Sequence, residues 1–515
     1  MGTQVKSGSR AVEVATVQER AARAASGFQS LGIGKGDVVA VYLRNDFPFF
    51  EASVAAGLCG AYNTPVNWHY TPEEARYIFS NSGAKAIVIH ADLYRGIESA
   101  LPGDVPVFVV ETPPEICAAY GIDPAQGALP SGATEWGAWL ETFEPVAAPP
   151  DEPPGSMIYT SGTTGHPKGV RRAAPDEQQA VHWQGIIGKV MGFNPDVGSP
   201  EESVTVVTGP MYHSAPNAYG LFALRYGANI ILQPRFDPEE LLQMIEREGV
   251  THLHMVPTMF VRLLKLPDEV KRKYDLSSLR FVVHAAAPCP VHVKQAMIEW
   301  WGPVIYEYYG GTETGAVVFC DSREWLAHPG TVGKAFNGAH IRVLDDDGKE
   351  LAQGATGEVV CRMPSIPDFT YHGDDEKRRR AEKNGLISLG DIGYLDDDGF
   401  LYLCDRAKDM VISGGVNIYP AEIEAELHKM PGVEDCAIFG IPDEEFGESL
   451  CAVVQRRPGS DIDEADVRAF LRERVAGFKV PRTVEFRSEL PREDSGKIFK
   501  RKLREPYWEA AGRQI

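Results

Sequence analysis

Short apolar runs rich in β-branched residues alternate with segments of helical periodicity along most of this 515-residue chain. The clearest runs occupy residues 38–42, 86–89, 204–207, 230–232, 251–256 and 281–284. Strands that alternate with helices are typical of parallel sheets covered by helices on both faces. The pattern therefore predicts an α/β fold built on doubly wound sheets.

The chain is too long for one ordinary hydrophobic core, and its pattern changes after about residue 405. Beyond that point we expect helices near 419–429 and 465–475 and strands near 436–440, 449–455 and 483–486. About 110 residues of mixed structure match the size of a small domain. The predicted organisation is a large N-terminal domain of residues 1–405 and a small, mobile α+β domain of residues 406–515, joined by a short hinge.

Charge and cysteine content limit the partners and the compartment. The net charge is −21, whereas a nucleic-acid binder usually shows a basic domain, so no nucleic-acid partner is expected. Short basic clusters at 377–380 and 500–504 are interpreted as solvated helix faces. The eight cysteines are scattered, which argues against a disulfide framework or a zinc site and fits a reducing cytoplasm. No apolar run is long enough to span a bilayer, and no signal-peptide core opens the chain.

The most informative segment is YTSGTTGHPKG at 159–169, which follows the apolar pair Met157-Ile158 that we interpret as the end of a strand. Its eleven residues include four Ser/Thr hydroxyls, three glycines and one lysine. Glycines let the backbone turn sharply and present N–H groups to an anion, while hydroxyls add donors and a lysine adds a cation. The segment predicts a site for the β- and γ-phosphates of a nucleotide. Its donors are Thr160, Ser161, Gly162, Thr163, Thr164, Gly165 and Lys168.

This loop has two other interpretations. The P-loop of NTPases requires adjacent Gly and Lys followed by Ser or Thr. Here Gly165 and Lys168 are not adjacent and Lys168 precedes Gly169, so the match fails. A flexible Gly/Ser connection without function is the second alternative, and the density of donors disfavours it.

The loop resembles the phosphate loop of the adenylate-forming superfamily, which contains acyl-CoA synthetases, adenylation domains and beetle luciferases. Further segments follow in that family's order and spacing: YGGTETG (309–315), LGDIG (389–393), DRAKD (405–409) with SGGVNIYPAE (413–422), and PREDSGK (491–497). Any one of them alone would also fit a glycine turn or an exposed charged cluster. The resemblance covers about residues 30–504. It implies the adenylate-forming fold and a two-step, ATP-dependent activation of a carboxylic acid.

The resemblance implies a nucleotide site. Tyr309 would pack on adenine, Thr312 would reach the α-phosphate, and Glu313 would hold Mg²⁺, for which a carboxylate is a natural hard ligand. Asp391 would accept both ribose hydroxyls, and Arg406 would bind ribose and phosphate. Further ATP contacts are implied for Ala286, Glu307, Tyr308 and Gly310.

The resemblance also implies the catalytic residues. Lys497 would donate to the carboxylate and to the bridging oxygen as charge develops during adenylation. His213 and Thr160 are the other catalytic candidates. Glu493 stands where the family has Thr. Lys408 would be the hinge about which the small domain turns between the two half-reactions. Gly414 and Gly415 would line the tunnel for the pantetheine of CoA.

The predicted acyl pocket begins at Gly209. Amino-acid-activating relatives carry an Asp in this segment, and no acid lies between Gly209 and Arg225, so an amino acid is not expected. His213 matches the histidine that borders the acyl pocket in acyl- and aryl-CoA ligases. The pocket residues are predicted to be His213, Ser214, Asn217, Ala285, Tyr308 and Ala316. Their mostly apolar character predicts a hydrophobic acid. Tyr308, in place of the family's Gly, narrows the pocket, and we expect a medium- or long-chain, aryl-substituted or polycyclic acyl group.

The acceptor is expected to be CoA, because the eleven residues after Arg504 are too few for an attached carrier domain. The main alternative is a stand-alone enzyme that loads a separate carrier protein. A nucleotide-binding regulatory protein without catalysis and a luciferase-like oxygenase are further alternatives. The expected ligands are a small carboxylic acid, ATP, Mg²⁺ and CoA. A homodimer is a possible assembly.

Overall fold

The computed structural model describes residues 2–146, 154–160, 167–406, 409–413, 416–443, 446–492 and 498–511. Its first part, residues 2–146, alternates strands and helices. The strands are β1 (Gln4–Ser7), β2 (Arg10–Glu13), β3 (Val38–Tyr42), β4 (Tyr62–Pro65), β5 (Ala86–His90), β6 (Val107–Val110) and β7 (Thr134–Glu135). The helices are α1 (Val14–Ser30), α2 (Phe47–Leu58), α3 (Pro72–Ser82), α4 (Ala91–Ile97), α5 (Pro114–Tyr120), α6 (Pro124–Gly127) and α7 (Trp136–Leu140).

The middle part, up to residue 406, contains most of the strands. They are β8 (Ile158–Thr160), β9 (Lys168–Arg172), β10 (Val204–Val207), β11 (Asn229–Leu232), β12 (His252–Met255), β13 (Phe281–His284), β14 (Ile305–Gly311), β15 (Gly315–Cys320), β16 (Gly333–Ala335), β17 (His340–Leu344), β18 (Gly357–Arg362), β19 (Phe369–Tyr371), β20 (Glu382–Lys383), β21 (Leu386–Leu395) and β22 (Phe400–Arg406). The helices are α8 (Glu177–Met191), α9 (Ser214–Tyr226), α10 (Pro238–Glu248), α11 (Pro257–Leu264), α12 (Asp268–Lys271), α13 (Val291–Trp301), α14 (Ser322–Ala327) and α15 (Asp375–Ala381).

The C-terminal part is a smaller α+β unit. Its strands are β23 (Val411–Ser413), β24 (Val416–Ile418), β25 (Val433–Asp443), β26 (Gly447–Arg456) and β27 (Thr483–Arg487). Its helices are α16 (Pro420–Leu427), α17 (Glu464–Arg472) and α18 (Lys500–Ala510). The two helices and three strands expected from the sequence are confirmed, with shifts of three residues or fewer at their ends.

Four sheets organise the chain. One sheet of five parallel strands has the order β4-β3-β5-β6-β7. The largest sheet has fourteen strands and runs β17-β18-β21-β22-β16-β15-β14-β13-β12-β10-β11-β1-β2, with β20 beside β21. A three-stranded sheet has the order β19-β9-β8, and the C-terminal sheet has the order β24-β23-β26-β25 with β27 beside β26. The predicted α/β fold is confirmed.

The large sheet is parallel only in part. From β14 through β13, β12 and β10 to β11 and β1 the neighbours are parallel, as the alternating pattern predicts. From β14 through β15, β16, β22, β21 and β18 to β17 they are antiparallel, which the sequence analysis did not predict. Tight turns replace crossover helices there; Gly348 and Gly399, for example, have φ of 77° and 81°. Such positive φ values favour glycine and allow two strands to reverse within a few residues.

The predicted phosphate loop lies in a hairpin. β8 and β9 pair in antiparallel register, with Thr160 opposite Lys168. The strand before the loop therefore ends at Thr160, two residues later than the sequence pattern indicates. Residues 161–166 lie outside the described residues.

The first and middle parts of the chain share one large hydrophobic cluster, whereas the C-terminal unit has a core of its own. A cluster in the C-terminal unit is formed by fully or nearly fully buried residues of its sheet and helices, including Val411, Ile423, Leu427, Ile438, Val454, Val467 and Leu471. This arrangement fits a small separate domain, while the boundary at 405/406 stays a prediction. Among the described helices, none reaches the length and hydropathy of a bilayer span.

Candidate active site

Three residues predicted to bind the nucleotide meet where β14, β21 and the end of β22 come together. The hydroxyl of Tyr309 donates to Asp391 Oδ2 at 2.7 Å, and Arg406 Nε lies 3.3 Å from Asp391 Oδ1. Asp391 and Arg406 are opposite each other in the β21–β22 register. Burial and the neighbouring Asp391 carboxylate raise the pKa of Tyr309 well above its usual range, so the phenol stays a donor. The structure thus brings together residues from three sequence segments, 309–315, 389–393 and 405–409.

The β14–β15 hairpin can be built only with glycine at position 310. A Cβ atom there would lie 1.9 Å from the carbonyl oxygen of Gly315. Gly315 itself has φ of 65°, and the Gly311 N–H donates to Thr314 Oγ1 at 3.0 Å. The glycines of the YGGTETG segment therefore serve the tight hairpin that carries Thr312 and Glu313 at its tip.

Arg172, at the end of β9, holds this hairpin tip and was missed by the sequence analysis. Its Nη2 donates to the carbonyl oxygens of Thr312 and Glu313 at 2.8 and 2.5 Å, and Nη1 donates to the Pro367 carbonyl at 2.7 Å. Burial lowers the pKa of Arg172 to about 10, against the attraction of Glu313. A planar guanidinium with several fixed donors suits three carbonyls, whereas an ammonium does not. An arginine three residues beyond a phosphate loop is the signal that could have indicated it.

We expect Arg172→Lys to lower kcat/KM for ATP about 10-fold, because leaving buried carbonyls without donors costs about 1–3 kcal/mol and loosens the Thr312–Glu313 tip. Pyrophosphate release at varied ATP concentration measures the effect. Arg171→Lys is the matched control, since the Arg171 guanidinium lies 4.4 Å from the Tyr62 ring centroid instead. Equal losses in the two variants would contradict the assignment of Arg172.

Glu313, the predicted magnesium ligand, lies among charged residues of β9, β19 and α15. The Tyr371 hydroxyl donates to Glu313 Oε1 at 2.9 Å, and Lys377 Nζ lies 4.2 Å from the centre of the Tyr371 ring. Lys168, the lysine of the phosphate loop, lies 3.3 Å from Asp374 Oδ2. One carboxylate beside a predicted phosphate loop fits Mg²⁺, which proteins bind through one or two carboxylates together with substrate phosphates.

The predicted acyl segment is fixed by two buried asparagines. Asn217, in α9, donates from Nδ2 to the Met211 carbonyl at 2.9 Å and accepts from Ser156 Oγ at 2.7 Å. Asn45 donates to the Gly209 carbonyl and accepts from the Met211 N–H, both at 2.9 Å. The side-chain amide of Asn217 is thus used to hold the turn before α9. Its predicted role as a pocket residue stays a prediction. At the end of this turn His213 precedes α9 as its N-cap residue.

Tyr308 lies on the face of the large sheet that is covered by α8 and α9. Its hydroxyl is 3.3 Å from Nε2 of His254, a buried residue that sequence reasoning missed. Burial lowers the pKa of His254 to about 4, so the imidazole is neutral near pH 7. Partly buried apolar side chains pack on the same core cluster: Trp183, Ala218, Phe222, Tyr306, Ala316, Phe319 and Phe336. The face is therefore mainly aromatic, with one polar pair.

The loop after β13 contains strained backbone. Ala286 has φ of 74°, which is uncommon for a residue with a Cβ atom and occurs mostly at functional sites. Ala285, just before it, is buried, and its N–H donates to the Met255 carbonyl at 3.4 Å. This loop was predicted to contribute to both the ATP site and the acyl pocket.

The predicted contact of Glu307 with ATP stays a prediction, and its side chain lies in the core. Its carboxylate is buried, with Lys294 Nζ 2.5 Å from Oε2 and His284 Nε2 3.6 Å from the same oxygen. Burial raises the pKa of Glu307 and the Lys294 ammonium opposes the shift. The Glu307 side chain therefore belongs to the core, and a contact with ATP could be made only by its main chain.

The remaining predicted site residues divide into two groups. Thr160 and Ser214 are described at the ends of β8 and α9, and the Thr160 hydroxyl donates to the Lys168 carbonyl at 3.5 Å. The others lie outside the described residues, and their roles stay predictions: Ser161, Gly162, Thr163, Thr164, Gly165, Lys408, Gly414, Gly415 and Lys497.

Comparison with known proteins identifies the family. The model of the AMP-binding enzyme family matches residues 4–367, and that of the AMP-binding enzyme C-terminal domain matches residues 422–497. Feruloyl-CoA synthase of an Amycolatopsis species is 33% identical over 511 residues, covering 98% of this chain and 95% of that protein. The 2-succinylbenzoate–CoA ligase of Geobacillus kaustophilus is 32% identical over 501 residues, covering 97% and 94%.

A solved structure agrees in fold along almost the whole chain. ATP-bound MatB from Rhodopseudomonas palustris superposes with a TM-score of 0.81 at 28% identity, covering 98% of this chain and 96% of that one. The chain belongs to the AMP-binding enzyme family, as an ATP-dependent, AMP-forming ligase of the acyl- and aryl-CoA synthetase branch of the adenylate-forming superfamily.

Proposed function

We propose that this ligase activates a hydrophobic, ring-containing carboxylic acid and transfers it to CoA. In the first half-reaction a carboxylate oxygen attacks the α-phosphorus of ATP, and the bond to the bridging oxygen breaks to release pyrophosphate. In the second, the CoA sulfur attacks the acyl carbon, the bond to the AMP oxygen breaks, and the thiol proton leaves to solvent. The observation that carries the proposal is the junction of Tyr309, Asp391 and Arg406 beside the hairpin of Thr312 and Glu313.

The proposed roles follow from the charges at this junction. Asp391 offers two acceptor oxygens to ribose hydroxyls, and Arg406, whose side chain is 45% exposed, offers a cation to ribose and phosphate. Lys168 and the loop 161–166 would hold the departing pyrophosphate. Glu313 would hold Mg²⁺, which supplies screening of the phosphate charge when bound. Lys497 would stabilise charge at the reacting oxygens, and the domain beyond 405 would turn about Lys408 between the half-reactions.

The proposed substrate class rests on the aromatic face around Tyr308. Flat rings pack well against other aromatic rings, in offset or edge-to-face contacts. Two of the relatives described above are named for aromatic acids, feruloyl-CoA and 2-succinylbenzoate. The Tyr308–His254 pair adds a single polar site to the wall. A ring-containing acid with at most one distal polar group fits these features.

CoA as the acceptor is supported by a cavity of about 560 Å³ in the C-terminal domain. The cavity adjoins Ser413 and Val416, which flank the predicted pantetheine loop at 414–415. Its walls include three arginines and two phenylalanines: Arg468, Arg472, Arg482, Phe446 and Phe478. Arginines suit phosphate groups and aromatic rings suit a nucleobase, and CoA carries both.

The proposal is tested with a panel of carboxylates incubated with ATP and Mg²⁺, with and without CoA. We expect pyrophosphate release that depends on the carboxylate, followed by AMP and thioester formation that depends on CoA, with cinnamate-like and bicyclic acids most active. Transfer to a carrier protein's pantetheine but not to free CoA would refute CoA as the acceptor. Release of pyrophosphate with amino acids alone would refute the substrate class.

Tyr308→Gly should shift the preference among acids, because it removes the ring that narrows the predicted pocket. We expect kcat/KM for a bicyclic acid to rise about 10-fold relative to a single-ring acid, since a few carbon atoms in a pocket are worth about 1–3 kcal/mol. Tyr308→Phe is the control, because it keeps the ring and removes only the hydroxyl near His254. If the preference for bicyclic over single-ring acids changes equally in Tyr308→Gly and Tyr308→Phe, then the volume of the Tyr308 ring does not determine which acids bind.

A further inference from the structure

Three side chains of the C-terminal domain converge where α16 ends and β25 begins. His428 is the C-cap residue of α16, and Asp435 and Cys436 lie near the start of β25. Cys436 Sγ is 3.9 Å from His428 Nε2, and Asp435 Oδ1 is 3.5 Å from the same nitrogen. One ligand atom from each residue lies within 4.8 Å of the other two. None of the three residues is used by the proposed reaction.

Two of the three separations match those around a tetrahedral metal ion, and the third, between sulfur and oxygen, is at most 4.8 Å. Bond lengths to zinc of about 2.3 Å for sulfur and about 2.0–2.2 Å for nitrogen and oxygen place sulfur about 3.6 Å from nitrogen and nitrogen about 3.4 Å from oxygen. The observed separations of 3.9 and 3.5 Å differ from these by only a few tenths of an ångström. Side-chain rotation that closes the separation between the Cys436 sulfur and the Asp435 oxygen would bring the three atoms to a common ion.

Exposure leaves one side of the cluster accessible. Cys436 is buried at 2% exposure, while the side chains of His428 and Asp435 are 27% and 19% exposed. An ion could therefore enter from the His428 side and keep water as a fourth ligand. The sequence did not predict this site, because zinc sites are recognised in a sequence by closely spaced cysteines. His428, Asp435 and Cys436 include only one cysteine and come from the end of a helix and the start of a strand.

We propose that His428, Asp435 and Cys436 form a binding site for a borderline-soft divalent ion such as Zn²⁺ or Co²⁺, separate from the Mg²⁺ predicted at Glu313. A thiolate and an imidazole favour such ions over the hard ions Mg²⁺ and Ca²⁺. Binding forms a sulfur–metal bond while the Cys436 thiol releases its proton to solvent. The proposal does not depend on which acid the enzyme activates.

The site is connected to the segment that carries Lys497. Asp435 Oδ2 forms an ion pair with Arg492, the residue directly before 493–497. An ion on Oδ1 would draw charge from the carboxylate and repel the guanidinium, so it would weaken this pair. We infer that an occupied site slows the first half-reaction.

Titration of the full-length protein with Co²⁺ in the absence of nucleotide tests the site. We expect a thiolate-to-cobalt charge-transfer band in the near ultraviolet that saturates at one ion per chain. Cys436→Ser should abolish the band, and Cys451→Ser, a buried cysteine on the neighbouring strand β26, should keep it. No band in the unmodified protein, or a band retained by Cys436→Ser, would overturn the proposal.

A second variant tests the site independently if Cys436→Ser fails to fold. His428→Gln changes a partly exposed residue and should weaken Co²⁺ binding at least about 10-fold while the protein keeps its melting temperature. Addition of Zn²⁺ under excess Mg²⁺–ATP should slow pyrophosphate release in the unmodified protein and leave Cys436→Ser unaffected. Equal inhibition of both proteins would refute the connection through Asp435 and Arg492.

Discussion

Lys497→Ala is expected to slow formation of the acyl adenylate about 10²–10³-fold, which is the loss that follows removal of one preorganised donor to a developing oxyanion. Thioester formation from supplied acyl adenylate and CoA should change little, because Lys497 is proposed to act only in the first half-reaction. The described residues on either side of the segment 493–497 contact each other. Arg492 and Ile498 form an antiparallel bridge, and the Phe499 N–H donates to the Pro491 carbonyl at 2.8 Å.

The two half-reactions are measured separately, as pyrophosphate release from ATP and as thioester formed from synthetic acyl adenylate. Lys502→Ala is the matched control, because Lys502 is an exposed lysine of the following helix α18. It should retain both activities. A similar loss of both half-reactions in Lys497→Ala would refute the assignment of Lys497 to adenylation and, with it, the proposed turn of the C-terminal domain.

The strand pattern and the charged motif residues could be predicted from the sequence because local chemistry determines them. Residues 38–42, 204–207 and 281–284 form strands as expected, since their apolar runs need burial. Tyr309 and Asp391 meet as the resemblance implies.

Contacts between a side chain and a distant backbone could not be predicted. Arg172 holds the carbonyls of Thr312 and Glu313, and any residue type can supply a carbonyl, so no pattern marks the acceptor. The same holds for Asn45, which fixes the turn between Gly209 and Met211 from another sheet.

Charge clusters were also difficult to interpret from sequence. The 500–504 cluster was predicted to be a solvated helix face, and this is wrong for Lys500. Its Nζ lies 2.8 Å from Glu424 Oε1, with 22% of the side chain exposed. Burial lowers its pKa, but the Glu424 and Asp405 carboxylates outweigh that effect and raise it. Lys500 thus links α18 to α16 and to the end of β22, a contact between residues more than seventy positions apart.

Glu307 shows how a motif residue can serve the fold. The resemblance assigns it to the nucleotide site together with Tyr308 and Tyr309. Successive residues of a strand, however, point to opposite faces. Tyr308 faces α8 and α9, so Glu307 points to the other side, where α13 supplies Lys294. The ion pair stabilises the strand whose next two residues, Tyr308 and Tyr309, are proposed to contact substrate and nucleotide.

Lys294→Met is expected to destabilise the protein by about 3–5 kcal/mol, the cost of leaving a buried charge without its partner. The two side chains are 0% and 5% exposed, so water cannot replace the lost ammonium. In the double variant Lys294→Met/Glu307→Met both charges are gone, and most of the stability should return, because replacing a buried pair by hydrophobic residues of similar volume is often neutral. Urea unfolding measures both free energies of unfolding. Lys273→Met, at a lysine with 59% exposure, should change stability by less than about 0.5 kcal/mol.

The deficit of Lys294→Met should also depend on pH. Burial raises the pKa of Glu307 in the folded protein, and loss of the ammonium that opposes this shift raises it further. A carboxyl group whose pKa is higher folded than unfolded destabilises the fold as pH rises above the unfolded value of about 4.3. The variant should therefore be closer to the unmodified protein at pH 5 than at pH 8, because protonated Glu307 carries no charge to bury. A deficit that is the same at both pH values, or that persists in the double variant, would mean that lost packing around Lys294, rather than the unpaired carboxylate, causes the destabilisation.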